Sequence, residues 1–317
     1  MANKNLSQAK EAKKDEFYTQ YADIQKEVNA YLDYDPNIFR GKTVLLPCDD
    51  PEWSNFTRFF AQNFERLGLK KLISTSYAPE TKASQYGVLF EYAQSQSDEK
   101  PDNARGRIYV LDHDTNRNGV INIEDLEWQY LKGDGDFRSE EVKKLRDEAD
   151  IIITNPPFSL FREFLAWIVE AKKKFLIIGN MNAITYKEVF PLIKDDKMWL
   201  GATGFSTDMV FAVPKGTVVP AAYKEKAERL GYVGDFTRLG NSCWFANIEH
   251  GRRHQPLQLM CEADNVKFSK HKEIKGVGYS KYENYDAIEV PYTDAIPSDY
   301  KAVMGVPISF LDKFCPE

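Results

Sequence analysis

The chain has 317 residues, 43% of them hydrophobic and 28% charged, with a formal net charge of −6. At about 100–200 residues per domain that allows two domains, or one large α/β domain with an appendage, and enough apolar mass for a sizeable core. The acidic balance counts against a protein coated in phosphate-binding charge, so a nucleic-acid partner has to be argued from a site.

The N-terminal stretch MANKNLSQAKEAKKDE is polar and lysine-rich, a frayed arm or short helix without the apolar centre of a secretory signal. No apolar run comes near the ~20 residues that span a bilayer. The four cysteines (Cys48, Cys243, Cys261, Cys315) and four histidines show neither disulfide nor metal-ligand spacing. A cytoplasmic protein with free thiols and no membrane partner is the expectation.

From Lys42 to Asn180 short apolar runs alternate with amphipathic segments. TVLLP is the first strand. Ser54 is placed to cap the next helix, where Phe56, Phe59, Phe60, Phe64 and Leu67 share one face, and Gly68 marks its end. KLISTSYA, RIYVLDH, IIITN and FLIIGN read as further strands, continuous and β-branched as parallel strands buried on both faces are. After IIITNPPF, the positions Leu160, Phe161, Phe164, Leu165, Ile168 and Val169 repeat at helical spacing. The βαβα order predicts a doubly wound, mostly parallel sheet.

Between two of these strands, DTNRNGVINIED approaches a calcium loop of the EF-hand kind, with Asp114, Asn116, Asn118, Gly119 and Asp125 at ligand or hinge spacing. It follows an apparent strand, its charge is low, and Asp stands where a bidentate Glu belongs. A surface loop is the preferred reading, and no metal is expected. Beyond about residue 205, short strands (MVFAVP, CWFANI, LQLMC) complete the sheet, and the last ~65 residues, rich in Tyr, Lys and Gly, form an irregular C-terminal part.

The strongest chemical signal is Asn155-Pro156-Pro157-Phe158, directly after the strand IIIT and before an amphipathic helix. Ligands of open α/β sheets sit outside the carboxyl ends of the strands. Two consecutive prolines fix φ and remove two donors, leaving rigid carbonyl acceptors beside the Asn155 amide and an aromatic ring at Phe158. An amine on an aromatic base is a poor nucleophile, because its lone pair is delocalised into the ring. The Asn155 side-chain oxygen and the Pro156 carbonyl can accept both amine hydrogens and stabilise the positive charge that develops on nitrogen when a methyl group arrives. Phe158 can stack on the ring. A plain strand-breaking turn is the alternative.

In this context NPPF resembles the catalytic motif of class I amino-methyltransferases. Together with DEFYTQYADI, the CDDP segment, LKGDGDFRSEE, TNPPFSLFREF and AIPSDYKAVMGVPISFLDK, it makes the chain similar over nearly its whole length to the EcoRI-type adenine-specific DNA methyltransferase family. The resemblance implies a seven-stranded Rossmann-like sheet in a catalytic domain over residues 1–250 and a target-recognition region over 251–317. It implies methyl transfer from S-adenosyl-L-methionine to the exocyclic amine of an adenine flipped out of double-stranded DNA. A restriction-modification or orphan system, a monomer, and a cognate endonuclease acting on the same site without stable complex fit that reading. The family pattern is expected to run somewhat beyond the final DKFCPE.

By the same resemblance the cofactor loop is LPCDDPEWSNF, which lacks the usual Gly-rich turn. There Cys48, Asp49 and Asp50 flank the methionine end, the acids accepting from its ammonium or simply capping the next helix. Phe17, Tyr18 and Thr19 match the element placed against that end. Asp136 and Phe137 resemble the pair that reads the cofactor adenine, with a surface turn as rival. No acid for the ribose is evident after KLISTSYA. Trp244 and Phe245 either pack on the flipped base or belong to the core. Arg252, Arg253 and His254 either contact DNA, where Arg can bridge guanine, or form an ordinary basic loop. Competing functions are the same chemistry on a cytosine amine, RNA base or protein glutamine, and a catalytically inactive DNA-binding module.

Overall fold

The structure is a computed structural model that describes residues 17–49, 54–77, 105–205 and 209–316. The chain divides into two compact units, Met1–Glu249 and His250–Glu317.

Eleven strands of the first unit are described: β1 (Tyr18–Thr19), β2 (Thr43–Pro47), β3 (Lys71–Ser76), β4 (Arg107–Leu111), β5 (Glu127–Tyr130), β6 (Ile151–Thr154), β7 (Lys174–Asn180), β8 (Trp199–Leu200), β9 (Val210–Ala212), β10 (Phe236–Arg238) and β11 (Ser242–Ala246). Eight of them form one sheet in the order β5-β4-β3-β2-β6-β7-β11-β8, and β1-β9-β10 form a small second sheet. The centre, β3-β2-β6-β7, is parallel throughout. β2 and β6 are buried along their whole length, as their unbroken apolar runs require.

The expectation of a mostly parallel α/β sheet holds in its coarse form, with two corrections. RIYVL, read as a parallel strand, runs antiparallel to β3, and β11 runs antiparallel to β7. The sheet has eight described strands where seven were expected, because EWQY adds β5 as an antiparallel edge. Its alternating exposure is that of an edge strand with one wet face, a pattern too short to stand out beside the longer runs. LQLMC forms no strand. Instead Leu257 and Leu259 pack on the small core of the second unit around Ile288, Val290 and Ile296.

Helices form where local chemistry asks for them. The Ser54 hydroxyl accepts from the Phe56 amide (3.1 Å) to cap the helix Asn55–Gln62, and Gly68 ends the following turn in the left-handed region. All five aromatic and aliphatic residues of that face are buried. The helix Tyr21–Tyr34 buries Ile24, Val28 and Tyr31 at helical spacing. The helix Phe161–Glu170 buries Phe161, Phe164, Leu165, Trp167 and Ile168, with Phe158–Leu160 as a 3-10 turn leading in. The 114–125 loop is a stitched surface loop: Asp125 accepts from the Thr115 amide, the Thr115 hydroxyl and the Asn116 and Asn122 amides. Among the described residues no cluster of three His, Cys, Asp or Glu side chains is arranged to hold a metal ion, and no helix is long and apolar enough to cross a membrane.

In the second unit, β12 (Ala287–Glu289) and β13 (Val303–Gly305) pair in parallel. His271 stacks on Tyr292 with ring centroids 3.6 Å apart and shares Asp294 with Lys270.

Candidate active site

The carboxyl ends of β2, β3 and β6 lie side by side, and the residues that follow them make the site. Asn155 leaves β6 half-buried. Its side-chain nitrogen donates to the Phe17 carbonyl (2.7 Å) and lies 3.4 Å from the Thr19 hydroxyl. Since a carbonyl can only accept, these bonds fix which way the amide points. Asn155 Oδ1 is left buried and, among the described residues, without a hydrogen-bond partner. Burying an unpaired acceptor costs about 1–3 kcal/mol, and a ligand that donates to it recovers that cost. Phe158 is half-buried, its ring 5.6 Å from Phe17, which in turn meets Phe211 edge-on at 5.9 Å.

Two stretches more than a hundred residues apart are thereby brought together. β1 pairs with β9, setting Thr19 opposite Phe211, so the Phe17–Thr19 element has its own sheet to hold it against the Asn155 turn. The Asn55 side chain also donates to the Thr19 carbonyl (2.8 Å). Tyr18 is half-buried and Thr19 buried.

The turn after β2 substitutes for a glycine-rich loop in an unusual way. Cys48 takes φ 71°, the left-handed conformation that glycine adopts freely and other residues rarely. Burial first, then the charges of Asp49 and Asp136, push its thiol above the usual range, which favours the neutral form. A Cβ on either Gly106 or Gly135 would run into the Ser76 carbonyl, so the GDGDF loop lies tight against the end of β3.

Asp49 is buried, and both its carboxylate oxygens already accept hydroxyl bonds, from Ser54 (2.7 Å) and Thr154 (2.5 Å). Asp50 lies outside the described residues. The Asp136 carboxylate is engaged by the Arg138 guanidinium and backbone. Phe137 packs in the core, its ring 5.1 Å from Phe164 and 5.7 Å from Trp167. It therefore anchors Asp136 and does not offer a free face. Trp244 and Phe245 are likewise fully buried, Trp244 against Phe56 and Phe245 against Phe161 on β11. Their placement is that of the core alternative, because β11 is buried along its whole length between β7 and β8.

Of the basic turn in the second unit, Arg253 is only 5% exposed. Arg252 bonds Asp312 (2.5 Å), and His254 is half-buried. Arg253 is therefore enclosed and is not on the exposed loop that was the alternative to DNA contact. Residues that the sequence reading missed are Thr154, Ser74, Thr75, Ser76 and Phe211. The Thr75 and Ser76 hydroxyls, at the carboxyl end of β3, are buried without a hydrogen-bond partner among the described residues. Their position at the carboxyl end of a strand was the available signal, but the expectation there was an acid.

A family model described as adenine-specific methyltransferase EcoRI matches residues 5–317. The chain is 41% identical over 321 residues to the type II methyltransferase M.EcoRI of Escherichia coli, which covers 99% of this chain and 87% of that protein. It is 33% identical over 316 residues to the type II methyltransferase M.MpnI of Mycoplasma pneumoniae, covering 98% of this chain and 83% of that one. No solved structure matches.

Proposed function

The chain belongs to the family of the adenine-specific methyltransferase EcoRI, and on that premise we propose that it moves a methyl group from S-adenosyl-L-methionine to the N6 amine of an adenine flipped out of double-stranded DNA. The observation that carries the reading is Asn155 Oδ1, a buried acceptor at a strand end with no hydrogen-bond partner among the described residues, three positions before the half-buried Phe158.

The amine donates one hydrogen to Asn155 Oδ1 and the other to the Pro156 carbonyl. Drawing both hydrogens out of the ring plane localises the nitrogen lone pair, and the same oxygens stabilise the cationic nitrogen as it forms. The Phe17 carbonyl contributes indirectly by holding the Asn155 amide in the one orientation that presents an acceptor. Phe158 supports the base ring. When bound, the cofactor would supply a methyl group on a sulfonium that leaves as a neutral thioether, and the methylated cationic nitrogen, now strongly acidic, would lose its extra proton to water without a strong general base.

The donor set suits that cofactor. The Thr75 and Ser76 hydroxyls at the end of β3, without a hydrogen-bond partner among the described residues, match a ribose. Phe17, Tyr18, Thr19 and Cys48 line the methionine side, Asp136 faces the adenine side once Arg138 yields one oxygen, and Asp50 remains the candidate for the ammonium. In the second unit, Arg252 and His254 are the proposed DNA contacts. The enzyme acts as a monomer, within a restriction-modification or orphan system.

The test is transfer of labelled methyl from S-adenosyl-L-methionine to unmethylated genomic DNA, followed by nucleoside analysis. Label in N6-methyladenine is the expected outcome, and mapping it gives the recognition sequence. Label found only in cytosine, RNA or protein glutamine would replace the substrate and keep the chemistry.

A further inference from the structure

The backbone ladder between β2 and β6 stops early. Its paired residues are Val44 with Ile151 and Leu45 with Ile152, whereas β2 continues to Pro47 and β6 to Thr154. On its other side β6 stays paired with β7 as far as Thr154. Pro47 has no amide hydrogen to offer a neighbour. What holds the last residues of β6 to the β2 side is a side-chain link. The fully buried Thr154 hydroxyl lies 2.6 Å from the Pro47 carbonyl and 2.5 Å from Asp49 Oδ2. Asp49 is itself tied on every side. Its amide donates to the Thr75 carbonyl (3.0 Å), and its carbonyl accepts from the Thr57 (3.3 Å) and Ser74 hydroxyls. Its other carboxylate oxygen accepts from the helix-capping Ser54.

We propose that Asp49 is a positioning residue that sets the catalytic Asn155 in register with the turn after β2, acting through the hydroxyl of Thr154. Thr154 precedes Asn155 directly, so a shift at Thr154 moves the amide that must meet the base amine. Near-attack geometry is lost by displacements on the order of 1 Å, which can cost about 10²-fold in rate. The carboxylate of Asp49 is then an internal brace, and the ammonium of the cofactor is received elsewhere. This inference rests on the methyltransferase reading of the same site.

Wild-type transfer to adenine is measured first, since its absence overturns that reading rather than this one. Thr154→Val keeps the shape of the side chain and removes the hydroxyl. The expected result is a loss of about 10- to 100-fold in kcat with the cofactor Kd, from equilibrium dialysis, within about threefold. Thr154→Ser restores kcat to within about threefold. A double-mutant cycle with Asp49→Asn shows the double variant no worse than Thr154→Val alone, because both substitutions break one link. Circular dichroism melts accompany each variant, and if Thr154→Val does not fold, the Asp49→Asn kcat-against-Kd split decides. Unchanged kcat in Thr154→Val, failure of Thr154→Ser to restore it, fully additive losses in the cycle, or an Asp49→Asn enzyme that loses cofactor affinity while keeping kcat at saturation would each overturn the proposal.

Discussion

The proposed chemistry rests on a single amide, and its surroundings fix how that amide points. Asn155 spends its donors on Phe17 and Thr19 and keeps its acceptor in reserve. Asn155→Ala therefore removes an interaction that strengthens as charge develops, and kcat should fall by about 10²–10³, the cost of losing one preorganised hydrogen-bonding group. The cofactor Kd should stay within about threefold, and single-turnover kinetics with equilibrium dialysis separate the two. A variant with near-normal kcat would remove Asn155 from the catalytic role. The placement of this turn was legible in the sequence because its signal is local: two prolines, an aromatic and a strand end are all within a few positions. Cys48 was not. Its left-handed backbone is imposed by the neighbouring strands, and a thiol where glycine is usual gives no warning of positive φ. Phe137 and Trp244 stayed ambiguous for a related reason. An aromatic in a motif and an aromatic in a core have the same letters, and only the packing against Phe164 or Phe56 separates them.

Among the elements, the helix Tyr21–Tyr34 does more than its short apolar face suggests. Buried Glu27 accepts from the Ala202 amide (2.7 Å), the Thr203 amide (2.9 Å) and the Thr203 hydroxyl (2.5 Å). It thereby grips the segment between β8 and β9, the strand that supports the Phe17–Thr19 element. Burial raises the Glu27 carboxyl above its ordinary value, an effect these hydrogen bonds partly offset. Asp23, in the first turn of the same helix, is raised by burial from 3.8 to about 6, with Lys26 opposing. An acid that ionises later in the folded chain favours folding fully below about 3.8, and that advantage is lost as pH rises through about 6. Asp23→Asn should therefore stabilise the protein at pH 8, by about 1 kcal/mol once solvent screening of a half-buried group is allowed for, and change little at pH 4. Urea titrations at the two pH values test this, and equal effects at both would refute the assigned cause. The sequence contained the helix as Ile24, Val28 and Tyr31, yet nothing local foretold a grip across 175 residues. The antiparallel sense of β4 and the edge strand β5 were hidden in the same way, since strand direction depends on where the connection returns.

At the scale of the whole molecule, the charge of −6 has to be reconciled with a duplex that repels it. Neutralising phosphates releases counterions, so affinity falls with salt by about 0.9 log units per contact per decade. The contacts must come from a local surface. In the second unit the basic turn is a weaker source than its letters imply, because Arg253 is enclosed and Arg252 is bonded to Asp312. The segment KFSKHKEIKG offers more: Lys272 and Lys275 are both exposed, whereas Lys270 is paired with Asp294. Replacing Lys272 and Lys275 together by Ala should weaken binding to all duplex sequences alike and flatten the log–log salt slope by up to about two, roughly one per lysine. Arg253→Ala should act differently, lowering the unfolding midpoint because it removes a buried side chain, with the salt slope nearly unchanged. Fluorescence anisotropy across a salt series, paired with thermal melts, distinguishes the two patterns. A slope that flattens for Arg253→Ala and holds for the lysine pair would confine the phosphate contacts to the basic turn and add Arg253 to Arg252 and His254 there.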